Sequence, residues 1–251
     1  MERERSAAAA MLGLPGFVVL AVSDYEGEVE QAIETTADLV GCPECGAVAQ
    51  LHDRRPCWVR DLPAGGRPVT LVWVKRVWRC PHALCPRRTW TETSPAIAPR
   101  ASLTARARAE ICRRVGEDGH SVAAVARDFG IGWRTAMDAV REHGAPRIGD
   151  PGRLSAVTAR GLDETAFQAA SATRTTSFVT GIVDLTRRGG GPARLLDVVD
   201  DRSASALVGW LDERDPGWRA QVCTASLDPY RWVSGWGWLM GRHPGGACVV
   251  R

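Results

Sequence analysis

The chain has 251 residues, a hydrophobic content of 45% and a net charge of +3, which allows one large domain or two to three small ones. The longest apolar run, Met11–Val22, contains Gly13, Pro15 and Gly16 and is too short to cross a bilayer. We interpret it as the first strand of the fold. This run is therefore not expected to anchor the chain in a membrane, and we expect a cytoplasmic protein.

The charge is unevenly distributed along the chain. Residues 1–40 carry a net charge of −6, residues 41–150 carry +7 and residues 151–251 carry +2. Lys75 is the single lysine, so the other basic residues are arginines, whose guanidinium groups suit bidentate contacts to phosphate and guanine. The middle segment is therefore the part that we expect to bind a polyanion.

Residues 1–40 are predicted to form an N-terminal strand region. Phe17–Val22 and Val29–Thr35 are apolar and rich in β-branched residues, and the turn-forming segment Asp24–Gly27 separates them. We expect the two strands to pair and to lead into the first of two cysteine pairs.

The two cysteine pairs predict a structural zinc site in residues 41–95. Pairs of thiols brought together by a hairpin are typical ligands of a tetrahedral structural zinc. The alternating strand Val69–Trp78 ends just before the second pair, and Asp61–Gly66 supplies a turn before it. The predicted Zn²⁺ ligands of this zinc ribbon are Cys42, Cys45, Cys80 and Cys85. Four tryptophans, Trp58, Trp73, Trp78 and Trp90, are expected to pack around the site.

Residues 96–146 are predicted to form a helix-turn-helix region that binds DNA. After a helix over Leu103–Glu117, Ser121 begins a short helix that Gly130 ends, and Trp133–His143 forms the next helix. Small residues in the short helix and glycine in the turn meet the packing requirements of the motif. The residues expected to face the groove or the phosphates are Trp133, Arg134, Thr135 and Arg141. A helical hairpin that binds nothing is the alternative.

Beyond a linker at Gly144–Arg153, residues 154–230 change to a pattern of strands. The predicted elements are strands over Ala159–Phe167, Ser177–Leu185 and Ala193–Val199, a helix over Ser203–Arg214 and a strand over Ala220–Leu227. Three strands, a helix and another strand are the first half of a ribonuclease H-like α/β fold. The predicted fold class is thus multidomain α+β: an N-terminal zinc ribbon, a helix-turn-helix and a partial ribonuclease H-like domain.

Two aspartates, Asp163 and Asp228, lie at or near the ends of predicted buried strands. A buried carboxylate is costly unless a cation pairs with it, and two aspartates with a third acidic residue can hold two Mg²⁺ ions. Other acidic residues of the segment, Asp184, Asp197, Asp200 and Asp201, are equal candidates by composition, and a strand-end aspartate is more often a turn residue.

The order of these motifs resembles the ISL3 family of bacterial insertion-sequence transposases. The resemblance is carried by CPECG, CPHALCPRRTW, SVAAVARDFGIGWRTAM, GLDETAF, VTGIVDLT and SLDPY, between Gly41 and Tyr230. It implies a protein that binds the terminal inverted repeats of its element as double-stranded DNA, with a second copy or an intact transposase as further partners. By the same resemblance, Asp163 and Asp228 are the first two acidic residues of a catalytic triad that uses Mg²⁺ to cut and join DNA.

After Tyr230 the sequence departs from the family's pattern. Trp232, Trp236 and Trp238 stand among glycines and arginines, without a helical or strand period. We interpret residues 231–251 as an aberrant tail from a frameshift near codon 231, with a real, short C-terminal helix as the alternative. The third acidic residue of the triad is not recognised, so this copy is expected to be catalytically inactive.

Two other functions stay open at this point. The chain could be a non-catalytic DNA-binding protein that regulates intact transposase or competes with it, and Mg²⁺-dependent activity separates this function from catalysis. It could instead be a zinc-ribbon interaction module with no DNA role, which would lack salt-dependent DNA binding.

Overall fold

The computed structural model describes residues 7–186, 192–227 and 247–250, and the chain divides into two compact units. The first unit ends at Gly149 and the second begins at Asp150, within the predicted linker. Among the described residues, no helix has the length and apolar character that crossing a membrane requires.

The first unit is built on a five-stranded sheet. Its elements are the helix α1 (Ala7–Leu12) and the strands β1 (Phe17–Tyr25), β2 (Glu28–Thr35), β3 (Gln50–Ala64), β4 (Arg67–Arg79) and β5 (Thr89–Thr91). The strand order is β1-β2-β4-β3, and β5 pairs with the end of β4. Because β2 lies parallel to β4, strands from residues 1–40 and 41–95 share one sheet instead of forming two separate regions.

The beginning of the chain differs from the expected first strand. Ala7–Leu12 is helical, and β1 begins only at Phe17. Gly13 and Gly16 both have positive φ angles, of 57° and 81°, which turn the chain between the two elements. The apolar run is therefore divided between a helix and a strand.

The core of this sheet follows from the alternation along β4. Val69, Leu71 and Trp73 all point to one face and are buried, as the period-2 pattern of a half-buried strand requires. Phe17 packs edge-on against the Trp73 ring at 5.4 Å between ring centroids. Ile97, from the segment that follows β5, is buried in the same cluster.

The β3–β4 hairpin turns at Gly65 and Gly66, as the glycine pair in the sequence predicted. Both have positive φ angles, of 59° and 76°, so the turn requires residues that tolerate the left-handed region. The strands are longer than expected, however, because β3 continues to Ala64 and includes Pro63.

Three helices follow the sheet: α2 (Ala105–Gly116), α3 (Val122–Asp128) and α4 (Trp133–Ile148). The hydroxyl groups of Thr104 and Ser121 cap α2 and α3 by accepting hydrogen bonds from backbone N–H groups. Their shared core contains Ile111, Val125 and Phe129. The helix α4 runs five residues beyond the predicted end at His143, with Pro146 tolerated in its last turn.

The second unit contains a second five-stranded sheet. Its elements are β6 (Ala159–Gln168), β7 (Ser177–Asp184), β8 (Arg194–Asp200), α5 (Ala204–Asp212), α6 (Pro216–Gln221), β9 (Thr224–Leu227) and β10 (Ala247–Val250). The strand order is β10-β9-β6-β7-β8. The strands β6, β7 and β8 form an antiparallel meander, β9 is parallel to β6, and β10 is parallel to β9.

The helix α5 covers one face of this sheet. Its Leu207, Trp210 and Leu211 are buried against Leu162 of β6 and Ile182 of β7. The predicted elements are all present, but the strand predicted over Ala220–Leu227 is limited to Thr224–Leu227, because Pro216–Gln221 forms the additional helix α6. Most of residues 231–251 lies outside the described residues, but Ala247–Val250 forms β10, although the sequence shows no strand period there.

Candidate zinc centre and DNA-binding surface

The four predicted zinc ligands come together at the end of β4. The Sγ atoms of Cys42 and Cys85 are 3.7 Å apart, those of Cys45 and Cys80 are 3.5 Å apart, and all four lie within 4.8 Å of one another. A tetrahedral zinc with Zn–S bonds of about 2.3 Å requires sulfur atoms about 3.8 Å apart. The cluster therefore fits a zinc ion closely, and it is the only such group of potential metal ligands within the described residues.

Two tight backbone loops hold the cysteines. In the first, the Cys42 N–H donates to the Ala47 carbonyl at 2.8 Å and the Gly46 N–H donates back to the Cys42 carbonyl at 2.9 Å. Gly46 has a φ of 73°, so this loop requires a residue that accepts the left-handed region. In the second, Cys80 follows directly on β4 and its N–H donates to the Arg88 carbonyl at 3.0 Å. The strand β4 thus places the second cysteine pair next to the first.

The electrostatics of the cluster call for a cation. Burial raises the pKa of Cys42, but hydrogen bonds from the backbone N–H groups of Cys45 and Glu44 outweigh that effect and lower this pKa to about 7. Burial and the neighbouring thiols raise the pKa of Cys85 to about 12 and also raise that of Cys80. Cys80 and Cys85 therefore resist ionisation beside the other thiols, and a divalent metal would supply the positive charge that their thiolates require.

The tryptophans around the zinc site differ from the expectation. Trp90 packs against the cysteines, and Trp78, buried in β4, pairs with it across the strands. Trp73 instead lies in the core of the sheet, and Trp58 is 60% exposed. Trp58 is opposite Val72 and Trp73 is opposite Cys57, so the alternation of β3 and β4 places the two rings on opposite faces.

The α3–α4 connection has the geometry of a helix-turn-helix. Phe129 is fully buried, and Gly130 has a φ of 61° that reverses the chain after α3. The Ile131 N–H donates to the Ala126 carbonyl at 2.9 Å and closes the turn. A side chain at Gly130 would lie 3.0 Å from Cβ of Pro68, so the turn rests directly on the start of β4.

The exposed face of α4 carries three charged residues. Arg134 and Arg141 are seven residues apart and share one side of the helix, with Asp138 between them. The Arg141 guanidinium is 3.7 Å from the Asp138 carboxylate, and all three side chains are exposed. The sequence reasoning had missed Asp138, although its i+4 spacing from Arg134 places it on this face.

The two other predicted contact residues lie beside this face. Trp133 begins α4 and is 55% exposed, whereas Thr135 is half-buried next to the helix's buried side, which contains Ala136 and Ala139. The structure therefore brings Arg134 and Arg141 together, with Trp133 at the start of the helix and Thr135 at the rim.

Most arginines of the helical region are neutralised internally. Carboxylates pair with Arg108, Arg113, Arg114 and Arg147 at 2.7 to 3.0 Å. Hydrogen bonds from Arg113, and then from Arg114, lower the pKa of Glu110 to about 2. Within the part of the chain that the structure describes, the exposed Arg127 and Arg134 have no carboxylate partner and so present their charge to solvent.

A buried carboxylate joins the helices to the sheet. Asp61 of β3 is 1% exposed and accepts hydrogen bonds from the Thr104 hydroxyl at 2.6 Å and from Nε of Arg106 at 2.9 Å. Arg106 also donates to the carbonyl groups of Leu12 and Gly13, each at 2.8 Å. Thr104 caps α2, so this network sets where the helical region begins relative to the sheet.

Of the two predicted catalytic aspartates, Asp163 is described and Asp228 lies outside the described residues. Asp163 is exposed and lies in the middle of β6 opposite Gly181, not at the end of the strand. Two of the other acidic candidates are held in structural contacts, since Asp184 pairs with Arg194 at 3.1 Å and Asp197 accepts from Nε1 of Trp210 at 2.7 Å.

Family models match both parts of the first unit. A model described as the zinc finger of transposase IS204/IS1001/IS1096/IS1165 matches residues 38–85, which include all four cysteines. A model described as the helix-turn-helix domain of transposase family ISL3 matches residues 92–144, which include α2, α3 and most of α4. A comparison with curated proteins finds no match.

Proposed function

Because the chain belongs to the ISL3 family of transposases by its zinc ribbon and its helix-turn-helix domain, we propose that it binds the terminal inverted repeats of the element that encodes it. The observation that carries this proposal is the exposed face of α4, where Arg134 and Arg141 project from a helix whose opposite side is buried. The second helix of such motifs enters the major groove with its N-terminal residues at the base edges. Arg134, in the first turn, is then the base-reading residue, and Arg141 contacts a phosphate.

The neighbouring side chains suit supporting contacts. The Trp133 ring offers an apolar surface to a thymine methyl group, and the Thr135 hydroxyl at the rim suits a phosphate oxygen. Asp138 can accept a hydrogen bond from a cytosine amino group, while its negative charge disfavours a phosphate at that point. This pattern gives α4 a preference among base pairs and not only an attraction to DNA.

Binding is tested with the zinc-loaded, full-length chain. A duplex that carries the element's terminal inverted repeat is compared with a shuffled duplex over a salt series from about 50 to 200 mM. We expect binding that weakens with salt and is at least about tenfold tighter for the repeat. Equal affinity for both duplexes, or no binding by the folded protein, would contradict the proposal.

Replacing Arg134 by alanine is expected to weaken binding to the repeat by about 1–3 kcal/mol and to leave binding to shuffled DNA nearly unchanged, because a bidentate contact to a base edge is lost. Fluorescence anisotropy with both duplexes measures the difference. Arg147→Ala is the matched control, since Arg147 lies on the same helix but pairs with Glu117. Equal effects of the two substitutions would argue against base reading by Arg134.

We also propose that the second unit is the ribonuclease H-like catalytic core of a transposase. The strand order β10-β9-β6-β7-β8, with an antiparallel meander followed by two parallel strands, supports this proposal. The last register pair of β6 and β9 is Gly161–Ser226. Asp163 and Asp228 each follow this pair by two residues, so both predicted acidic residues come at the same offset along their segments.

Magnesium fits the chemistry of this proposed site. The Asp163 carboxylate is exposed and offers the hard oxygen ligands that Mg²⁺ prefers, and Asp228 would be the second ligand. Gly181 lies opposite Asp163 and has no side chain that could cover it. When bound, the metal would supply the positive charge that activates the attacking oxygen and stabilises the leaving one.

Because the third acidic residue is not recognised, the unmodified protein is expected to bind the repeat without cutting it. If Mg²⁺-dependent cutting of repeat-bearing DNA is observed, Asp163→Asn is expected to reduce it by at least about 100-fold, because an amide does not hold the metal as a carboxylate does. Binding to the repeat should stay within about twofold of the unmodified protein. The exposed Asp200, changed to asparagine, is the control for loss of a nearby negative charge. If the unmodified protein binds the repeat but cuts nothing, it acts as a non-catalytic regulator or competitor.

A further inference from the structure

The zinc cluster and the helix-turn-helix are attached at opposite ends of the same β-hairpin. The α3–α4 turn contacts Pro68 at the start of β4, and Cys80 follows the last residue of that strand. Arg79 lies eleven positions after Pro68 in the sequence. At a rise of about 3.3 Å per residue, this stretch of β4, from the α3–α4 turn to the residue before Cys80, is about 36 Å long.

Hydrogen bonds fix this separation at both ends. In the half of β4 that leads to the zinc cluster, Glu92 accepts from Nε1 of Trp73 at 3.1 Å and from the Arg76 N–H at 2.8 Å. Near the helices, the Arg60 N–H donates to the Ser102 carbonyl at 2.9 Å, and the Thr104 N–H donates to the Arg60 carbonyl at 3.0 Å. The segment between β5 and α2 is therefore fastened to the hairpin at both of its ends, so the hairpin behaves as a rigid spacer.

Among the described residues, the exposed arginines of the hairpin that have no carboxylate partner lie at the zinc end, whereas the half-buried Lys75 in the middle of β4 lies over the Trp73 ring, 4.3 Å from its centroid. Along its middle and its turn, Arg54, Arg60, Arg67 and Arg76 are paired with carboxylates of β1 and β2. At the zinc end, the exposed Arg79 donates to the Gln50 side chain at 3.3 Å and the exposed Arg88 donates to the Ala83 carbonyl at 2.8 Å. Neither has a carboxylate partner within the described residues, so both retain their attraction for an anion.

We infer that the zinc ribbon makes a second contact with the DNA backbone, through Arg79 and Arg88, about one helical turn from the groove that α4 enters. One turn of B-DNA rises about 34–36 Å, which matches the length of the spacer. A protein that contacts two sites one turn apart stays on one face of the duplex. The hairpin therefore fixes the separation between the base-reading contact of α4 and the backbone contact of the zinc ribbon. This inference rests on the proposed DNA binding by α4.

The test is hydroxyl-radical footprinting of the full-length, zinc-loaded protein on a duplex that carries the terminal inverted repeat. Two protected segments are expected, with centres about 10 base pairs apart. In a double variant, Arg79→Ala with Arg88→Ala, the second segment should lose protection, affinity should fall about tenfold, and the salt slope should fall by about two. Zinc content and the circular dichroism spectrum of the variant should be unchanged.

A matched control removes two charges from the middle of the hairpin, by Arg54→Ala with Arg55→Ala, and should retain both protected segments. Inserting about five base pairs between the segments moves the second one to the opposite face of the duplex. The insertion should weaken the unmodified protein about tenfold and leave the Arg79/Arg88 variant unaffected.

Each outcome decides between the two proposals. One protected segment alone, equal losses in the two double variants, or indifference of the unmodified protein to the insertion would overturn the spacer inference and leave the proposed function standing. Absence of protection at both segments, by a folded and zinc-loaded protein, would overturn the proposed function itself.

Discussion

Replacing Cys85 by serine is expected to abolish stoichiometric zinc binding and to unfold the region around the cluster. The four sulfur atoms already lie within 4.8 Å of one another, and apart from Ala47 and Trp90 little apolar packing surrounds them. Structural zinc in small domains contributes about 10–16 kcal/mol of apparent binding free energy at neutral pH, and that energy stabilises the fold. A hydroxyl is a poor substitute for a thiolate ligand, so most of it should be lost.

Metal analysis of the purified variant, together with limited proteolysis, measures this effect. We expect one zinc per chain in the unmodified protein, less than about 0.2 in the variant, and new cleavage between residues 41 and 95. Cys57→Ala is the control, because Cys57 is a half-buried thiol of β3 that packs in the sheet core and not on the cluster. Full zinc occupancy in the Cys85 variant would show that the metal is not held by these four residues.

Replacing Asp61 by alanine is expected to destabilise the first unit by about 3 kcal/mol. Asp61 is the buried acceptor for both Thr104 and Arg106, so its removal leaves a guanidinium and a hydroxyl without their partner in a site with little water. Breaking a buried ion pair by removing one member costs about 3–5 kcal/mol, and the lower value applies because the Arg106 side chain is 25% exposed.

Urea denaturation, followed by tryptophan fluorescence, measures the change in unfolding free energy. Asp53→Ala is the matched control on the same strand, because Asp53 is an exposed carboxylate that pairs with Arg55 at the surface. It should cost less than about 1 kcal/mol. Similar losses in the two variants would contradict the view that Asp61 anchors the helices, as would an Asp61 variant as stable as the unmodified protein.

The zinc site could be predicted because its signal is local. Two cysteines within four residues and two within six already form tight loops, and an alternating strand with a glycine pair before it predicts the hairpin that unites them. The cap at Ser121 and the turn at Gly130 could be predicted equally well, since each depends on one residue type and its immediate neighbours. The structure confirms this cap and this turn, and the two family models match the segments that contain the zinc ribbon and the helix-turn-helix.

The face of the sheet on which a tryptophan packs could not be predicted from the sequence. A β-strand alternates between two faces, but the sequence does not say which face the rest of the chain covers. Trp73 therefore lies in the sheet core and Trp58 on the exposed side, although both had been expected near the metal. The length of α4 was underestimated for a related reason, because Pro146 predicts the end of a helix and its last turn tolerates it.

Sequence alone thus determined the features that depend on residues close along the chain: the two cysteine pairs, the helix-turn-helix, the hairpin turn and the strands β6 to β9 of the second unit. Tertiary structure decided the features that join distant segments. It paired β2 with β4 across about forty residues, buried Asp61 beneath Thr104 and Arg106, and set the zinc ribbon and the helices at opposite ends of one strand. The physical reason is that a pattern of residue types fixes local dihedral angles and periodicity, whereas which distant surfaces meet depends on the packing of the whole unit.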